Sequence, residues 1–206
     1  MGWYERHLLP RLIDLACGVG PVQRQRAQVV PLAEGEVLEV GIGTGRNLPF
    51  YRAAGVRRLV GVDPALQMHP LALRRARAAG LAVELVGLSA ERLPLESARF
   101  DSVVCTYTLC SIADPLAALR EMRRVLRPGG RLLFSEHGQA PDAAVQRWQR
   151  RLQPLWGPLA GGCQLALDVP ALLRAAGFEA QVQQRYIPGP RFASYHYWGV
   201  AVAGAA

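Results

Sequence analysis

Three glycines, Gly41, Gly43 and Gly45, follow a short apolar run in "VLEVGIGTG", and an acid, Glu39, stands just ahead of them. A bend of this kind lets backbone approach a ligand with no side chain in the way. A second acid, Asp63, ends the next apolar run twenty residues past Gly43. A carboxylate there can accept both hydroxyl protons of a ribose. Glu39 lies inside a strand-like run, where its charge needs a partner, and a cationic amino-acid group would be one. A phosphate-cradling loop needs G-x-x-x-x-G-K-[ST], which a chain without lysine cannot supply. The dinucleotide fingerprint fits poorly as well, because Arg46 stands where its third glycine belongs. A ribose, a positive group and no pyrophosphate point to S-adenosyl-L-methionine. Asp63 could also cap a helix ahead of Pro64, a role compatible with ribose binding.

The remaining reactive side chains are dispersed. His137 follows a strand at the sheet's carboxyl edge and is the best-placed general base, since histidine titrates near neutrality. It could instead bond Glu136 and shape the turn. His196, between Tyr195 and Tyr197, is a second candidate and reads more simply as a packed residue. Cys17, Cys105, Cys110 and Cys163 show no C-x-x-C spacing and no clustered histidines. That argues against a zinc site or a disulfide framework, so no metal is expected and the thiols read as small apolar residues in a reducing, cytoplasmic setting. Trp148 and Trp156 could wall an apolar acceptor pocket or sit in the core of a helix.

Positioning these residues requires strands that alternate with helices. Strand-like runs occupy 36–43, 58–63, 81–87, 100–109 and 131–138, with two more near 179–187 and 194–204. Helical patterns fall between most of them, implying right-handed crossovers and a mostly parallel sheet with helices on both faces. The last two strands have no helix between them, so one of them runs antiparallel. The clearest helix is "DPLAALREMRRVLRPGG" (114–130), with Asp114 as cap, Pro115 in the first turn and an apolar stripe of Leu116, Leu119, Met122 and Leu126. Its arginines read as solvated surface. "GRNLPFYRAA" reads as the start of another helix.

The whole chain of 206 residues reads as one domain. It divides into an N-terminal helical cap (1–35), a cofactor-binding core (36–138), and acceptor-side and C-terminal strands (139–206). The formal net charge is +8, the chain has no lysine, and its arginines are scattered among apolar residues. That scatter argues against nucleic acid as a partner. An acidic partner or a peripheral contact with an anionic membrane remains compatible with the charge. No run approaches the roughly eighteen apolar residues of a spanning helix, and residues 1–7 lack the pattern of a signal peptide. Nothing in the sequence sets the oligomeric state.

In combination, "LEVGIGTG", "GVDP", "SAERLP", "FDSVVCTYTL" and "REMRRVLRPGGRLLFSEHG" resemble the class I S-adenosylmethionine-dependent methyltransferases, in that family's order and spacing. The resemblance covers about residues 35–140. It implies a Rossmann-like α/β fold with a seven-stranded, mostly parallel sheet and an antiparallel C-terminal strand. By the same resemblance, Glu39, Gly41, Gly43, Thr44 and Gly45 hold the methionine end of the cofactor and Asp63 the ribose. Met68 lies near the adenine unless it is a core residue. Leu88, Ser89 and Ala90 match the adenine loop, with Ser89 where an acid often stands. Thr106 and Tyr107 fall where the family contacts the methionine and the acceptor. Tyr4 would close over the cofactor from the N-terminal helix.

Within that family the chain is similar to the methyltransferase-like thiol S-methyltransferases. "CTYTLCSI", "FSEHG", "WQRRLQPLWGPLAGGCQL" and "P-x-x-x-S-Y-H-Y-W-G-V-A" carry this likeness. The hydrophobic anchor of the animal members has no counterpart in residues 1–35. The resemblance implies a small-molecule methyl acceptor, a thiol or sulfide, with a phospholipid or quinone, or binding without transfer, as the alternatives. Much of such a transfer can come from positioning, and a thiolate needs no dedicated base.

Overall fold

The computed structural model describes residues 8–204. Seven strands form one sheet: β1 Gly35–Val40, β2 Val56–Val62, β3 Val83–Val86, β4 Phe100–Thr106, β5 Leu126–His137, β6 Phe178–Tyr186 and β7 Tyr195–Ala203. Their order is β3-β2-β1-β4-β5-β7-β6. The first five strands pair in parallel, and β7 runs antiparallel to both β5 and β6. β7 is thus the expected antiparallel strand. It follows β6 through a short loop, and a connection that short can only return the chain antiparallel. The strand order reverses between β1 and β4, which opens a crevice beyond their carboxyl ends.

Helices α1 Leu9–Cys17, α2 Gly20–Val29, α3 His69–Ala78, α4 Pro115–Val125, α5 Ala143–Leu159 and α6 Val169–Ala175 complete the layers. Val60, Leu38, Val103, Leu132 and Ala201 align across five strands and face one core. Leu119 and Met122 of α4 and Leu173 of α6 close that core, each fully buried. Burial of a side chain that size contributes about 1.5–3 kcal/mol. One residue further along, Gly61, Glu39, Val104, Leu133 and Val200 form the next row. Strand side chains alternate between faces, so this row points to the opposite core, which holds Val29 and Leu48. Covering on both faces explains why the strands read as continuous apolar runs.

Two expected elements differ. The helix expected over 114–130 stops at Val125, and β5 begins at Leu126. Pro128 keeps Arg127 out of the helical region, and Gly129 adopts a φ of +79°. The segment after Gly45 is not an α-helix but two 3₁₀ turns, Leu48–Phe50 and Ala53–Gly55. On that face α2, from the N-terminal region, packs instead against β5 and β7. The arginines expected on the 114–130 helix also do more than meet solvent. Arg124 donates to Glu121 and to the carbonyls of Leu93 and Leu95, and Arg127 pairs with Asp101.

Candidate active site

A cavity of about 870 Å³ lies at the carboxyl ends of β1, β2 and β4, within the range of small-molecule sites. The three glycines of the turn differ in what they do there. Each has a positive φ, but a Cβ on Gly41 would stand 2.2 Å from Thr108, and one on Gly45 would stand 2.6 Å from Leu48. A Cβ on Gly43 would meet nothing nearer than Met68 Sδ at 3.6 Å, Asp63 Oδ2 at 3.8 Å and the Gly41 carbonyl at 3.9 Å, so it would project into the cleft. Gly41 and Gly43 line the cavity together with Thr44, whereas Gly45 packs the turn against α3 and is not on the wall.

Asp63 directly follows β2 and organises the turn. Its Oδ2 accepts from the Gly43 amide at 2.9 Å and its Oδ1 from the Ala65 amide at 2.8 Å. Burial raises its pKa, and the two amides oppose that rise. A carboxylate has about four acceptor sites, so two remain for ribose hydroxyls. Met68, at the end of a 3₁₀ turn, and Leu88, Ser89 and Ala90 after β3 form the adjoining wall. Glu91 joins them and accepts from the Ser89 hydroxyl. An acid therefore stands two residues beyond the position where the sequence shows only a serine.

Glu39 does not line the cavity. Its row faces the opposite core, where its Oε2 accepts from Tyr51 at 2.7 Å and its Oε1 from Asn47 at 3.0 Å. Burial pushes its pKa up to about 7, against the Tyr51 hydrogen bond and the nearby Arg26 charge. Its hydrogen-bond partners thus come from within the chain. Thr106, at the end of β4, lines the cavity and accepts from Arg26 and Asn47.

Two clusters were not legible in the sequence. Arg26 of α2 is 4% exposed, donates to Asn47 Oδ1 at 2.7 Å, and lies 4.8 Å over the Tyr107 ring while lining the cavity. No local pattern separates it from the other arginines of "PVQRQRAQVV". Asp14 of α1 pairs with Arg46 and with Arg75, and also accepts from Thr44. Although burial works to raise it, these partners hold the Asp14 carboxyl well below the usual range. They fasten α1 across the cavity mouth. A lone acid in an apolar helix, as in "LIDLAC", was the available signal.

At the far end Tyr107 lines the cavity with a φ of +53°, a strained conformation for a bulky residue. Its hydroxyl stands 3.1 Å from His196 Nδ1, and burial pushes its pKa well up. His137 is not on the wall: its Nε2 lies 3.1 Å from Cys163 Sγ. Glu136 does not hold it either, because Glu136 Oε1 accepts from the Thr108 and Leu109 amides. His196 has its pKa pushed down to about 3 by burial and by His137. Trp148 is exposed and belongs to no wall of this cavity. Tyr4 lies outside the described residues.

The Gly43 opening, the free acceptor sites of Asp63 and the turn that follows β1 fit a nucleoside carrying an amino-acid tail. Residues 38–134 match the methyltransferase domain family. The chain belongs to the class I S-adenosylmethionine-dependent methyltransferases, and its cofactor is S-adenosyl-L-methionine. It is 34% identical to the thiol S-methyltransferase TMT1B of Rattus norvegicus, over 75% of this chain and 64% of that protein. It is 32% identical to human thiol S-methyltransferase TMT1A, over 84% of this chain and 72% of that one. The demethylmenaquinone methyltransferase of Thermus thermophilus is 33% identical over 75% of this chain and 73% of its own. The chain thus spans about two thirds of the length of these thiol methyltransferase relatives. In fold it is similar to the YcgJ protein of Bacillus subtilis, with a TM-score of 0.69 at 21% identity, covering 97% of this chain and 99% of that one.

Proposed function

We propose that the protein methylates a small thiol or sulfide. Residues 36–138 form the cofactor-binding core in this reading. Gly41, Gly43 and Thr44 receive the methionine end, Asp63 takes the ribose, and Met68 with the 88–91 loop takes the adenine. When bound, the cofactor supplies an electrophilic methyl group on a sulfonium. Cys17, Arg26, Thr106 and Tyr107 border the acceptor end. The observation that carries the reading is Arg26, a buried cation fixed over Tyr107 at the cleft. A thiol has a reference pKa of about 8.5, and a fixed positive charge beside it favours the reactive thiolate. That field makes a separate base dispensable, and His137, engaged by Cys163, supports the acceptor end from behind. The similarity to TMT1A and TMT1B supports the same acceptor class.

A quinone is the second reading. It is favoured by the apolar side of the cavity, where Leu9, Ile13, Ile112 and Pro158 lie, and by the similarity to the demethylmenaquinone methyltransferase. No helix among the described residues is long and apolar enough to cross a membrane. Leu15 of α1 and Leu155 of α5 are 70% and 69% exposed, which supports a peripheral contact with lipid. The test offers labelled cofactor with, in parallel, an alkyl thiol, sulfide, a demethylated quinone and phosphatidylethanolamine vesicles. Label in the thiol or sulfide product is expected. Transfer confined to quinone or lipid overturns the thiol reading, and cofactor binding without any transfer overturns both.

A further inference from the structure

Behind the acceptor end, three residues from separate segments converge. Cys110 lies in the 3₁₀ turn after β4, His137 ends β5, and Cys163 lies in the loop after α5. One ligand atom from each, two sulfurs and an imidazole nitrogen, all lie within 4.8 Å of one another. We infer that these three side chains bind a single thiophilic divalent cation of the zinc class. This proposal is independent of the identity of the methyl acceptor.

The chemistry of the donors matches. Two thiolates and one imidazole are the soft and borderline ligands that zinc prefers. Zn–S bonds of about 2.3 Å and Zn–N bonds of about 2.0–2.1 Å put tetrahedral donors about 3.5–3.8 Å apart. His137 Nε2 and Cys163 Sγ stand at 3.1 Å, so an ion requires them to open by only about half an ångström. The three segments are also held together before any ion arrives. The Gln164 amide donates to the Cys110 carbonyl at 2.7 Å, and Gln153 donates to the Cys163 carbonyl at 3.0 Å. Glu136, next to His137, accepts from the Leu109 amide beside Cys110.

The cysteines are 3% and 8% exposed, so the site is shielded from bulk water. Three protein donors leave a fourth position, as in zinc sites with an exchangeable ligand. Ser111 and Gly162, the chain neighbours of Cys110 and Cys163, line the cleft. An ion here therefore braces the acceptor wall. The local sequence gives no sign of it, because the ligands are 27 and 26 residues apart and no two share a C-x-x-C.

The experiment uses the full, reduced chain stripped of metal and titrated with cobalt(II), then with zinc(II). One cobalt per chain is expected, with a thiolate-to-cobalt charge-transfer band and the intense visible bands of tetrahedral geometry, both abolished by zinc. Cys163→Ser, Cys110→Ser and His137→Ala should each weaken cobalt affinity by at least the roughly tenfold that loss of an outer partner costs. Cys17→Ala should keep the band. If a variant does not fold, the wild type decides: zinc should raise its melting temperature, and a chelator should reverse the rise. No cobalt–thiolate band and no zinc-dependent stabilisation in the folded wild type overturns the proposal. So does a band indifferent to all three substitutions, or a Cys110–Cys163 disulfide in freshly isolated protein.

Discussion

The two ends of the cleft are assembled in different ways. In the proposed reading, the cofactor end is built from short segments at the carboxyl ends of three parallel strands, β1, β2 and β3. At the acceptor end, α1, α2 and the loop after α5 meet the end of β4, with β5 and β7 behind them. Parallel neighbours deliver their carboxyl ends to one edge, so short local motifs suffice for the cofactor. The acceptor end depends on how distant segments pack, and a change in packing there can alter the substrate without touching the glycine turn.

The strongest way to break this contrast is Gly43→Val. The new side chain would stand in the cleft, and the φ of +52° adds a strain of about 1–2 kcal/mol. Calorimetry should detect no cofactor binding in the folded variant; normal affinity would mean that the turn does not face the ligand. Asp63→Ala comes next. It should weaken cofactor binding by about 1–3 kcal/mol, the cost of charge-assisted hydrogen bonds, and an unchanged dissociation constant would remove Asp63 from the ribose site.

Arg26→Met probes the other end. It should raise KM for an alkyl thiol about tenfold, or about 1.4 kcal/mol, and move the rate profile to higher pH, with a smaller change in cofactor affinity. Equal losses for cofactor and thiol would place Arg26 at the cofactor end instead. The last test concerns stability. Between about pH 4.5 and 7 the unfolded chain ionises Glu39 while the folded chain keeps it protonated. Stability is therefore fullest below that window and falls as pH rises through it. Glu39→Gln should flatten this dependence by up to about 3 kcal/mol across the window, read from urea unfolding on either side of it. A slope identical to wild type would show that Glu39 is already ionised in the fold.

Much of the fold was legible because the residues announce it locally. Apolar runs between glycines and prolines marked the strands, and the missing helix before "SYHYWGVAVAG" marked β7 as antiparallel. Asp114 caps α4 as its position suggested, its side chain accepting from the Ala117 amide. The end of α4 was misjudged because apolar periodicity continues into Leu126, while Pro128 ends the helix from two residues beyond. The site was legible only in part. Gly43 and Asp63 could be found from spacing, but spacing does not distinguish Gly43, which faces the cleft, from Gly45, which packs on Leu48 and Ala72. Glu39 was visible as an acid in a strand, yet its direction depended on the register that puts it beside Gly61 and Val104.

The sequence by itself determined a parallel sheet that ends in a side-chain-free bend and a carboxylate, hence the cofactor. A strand, its turn and its capping acid interact over few residues, and local physics is enough to specify them. Tertiary structure alone decided that Arg26 lies over Tyr107, that Asp14 fastens α1, and that Cys110, His137 and Cys163 meet. Those residues come together only when separate layers pack, and their encounter leaves no periodicity or spacing in the chain.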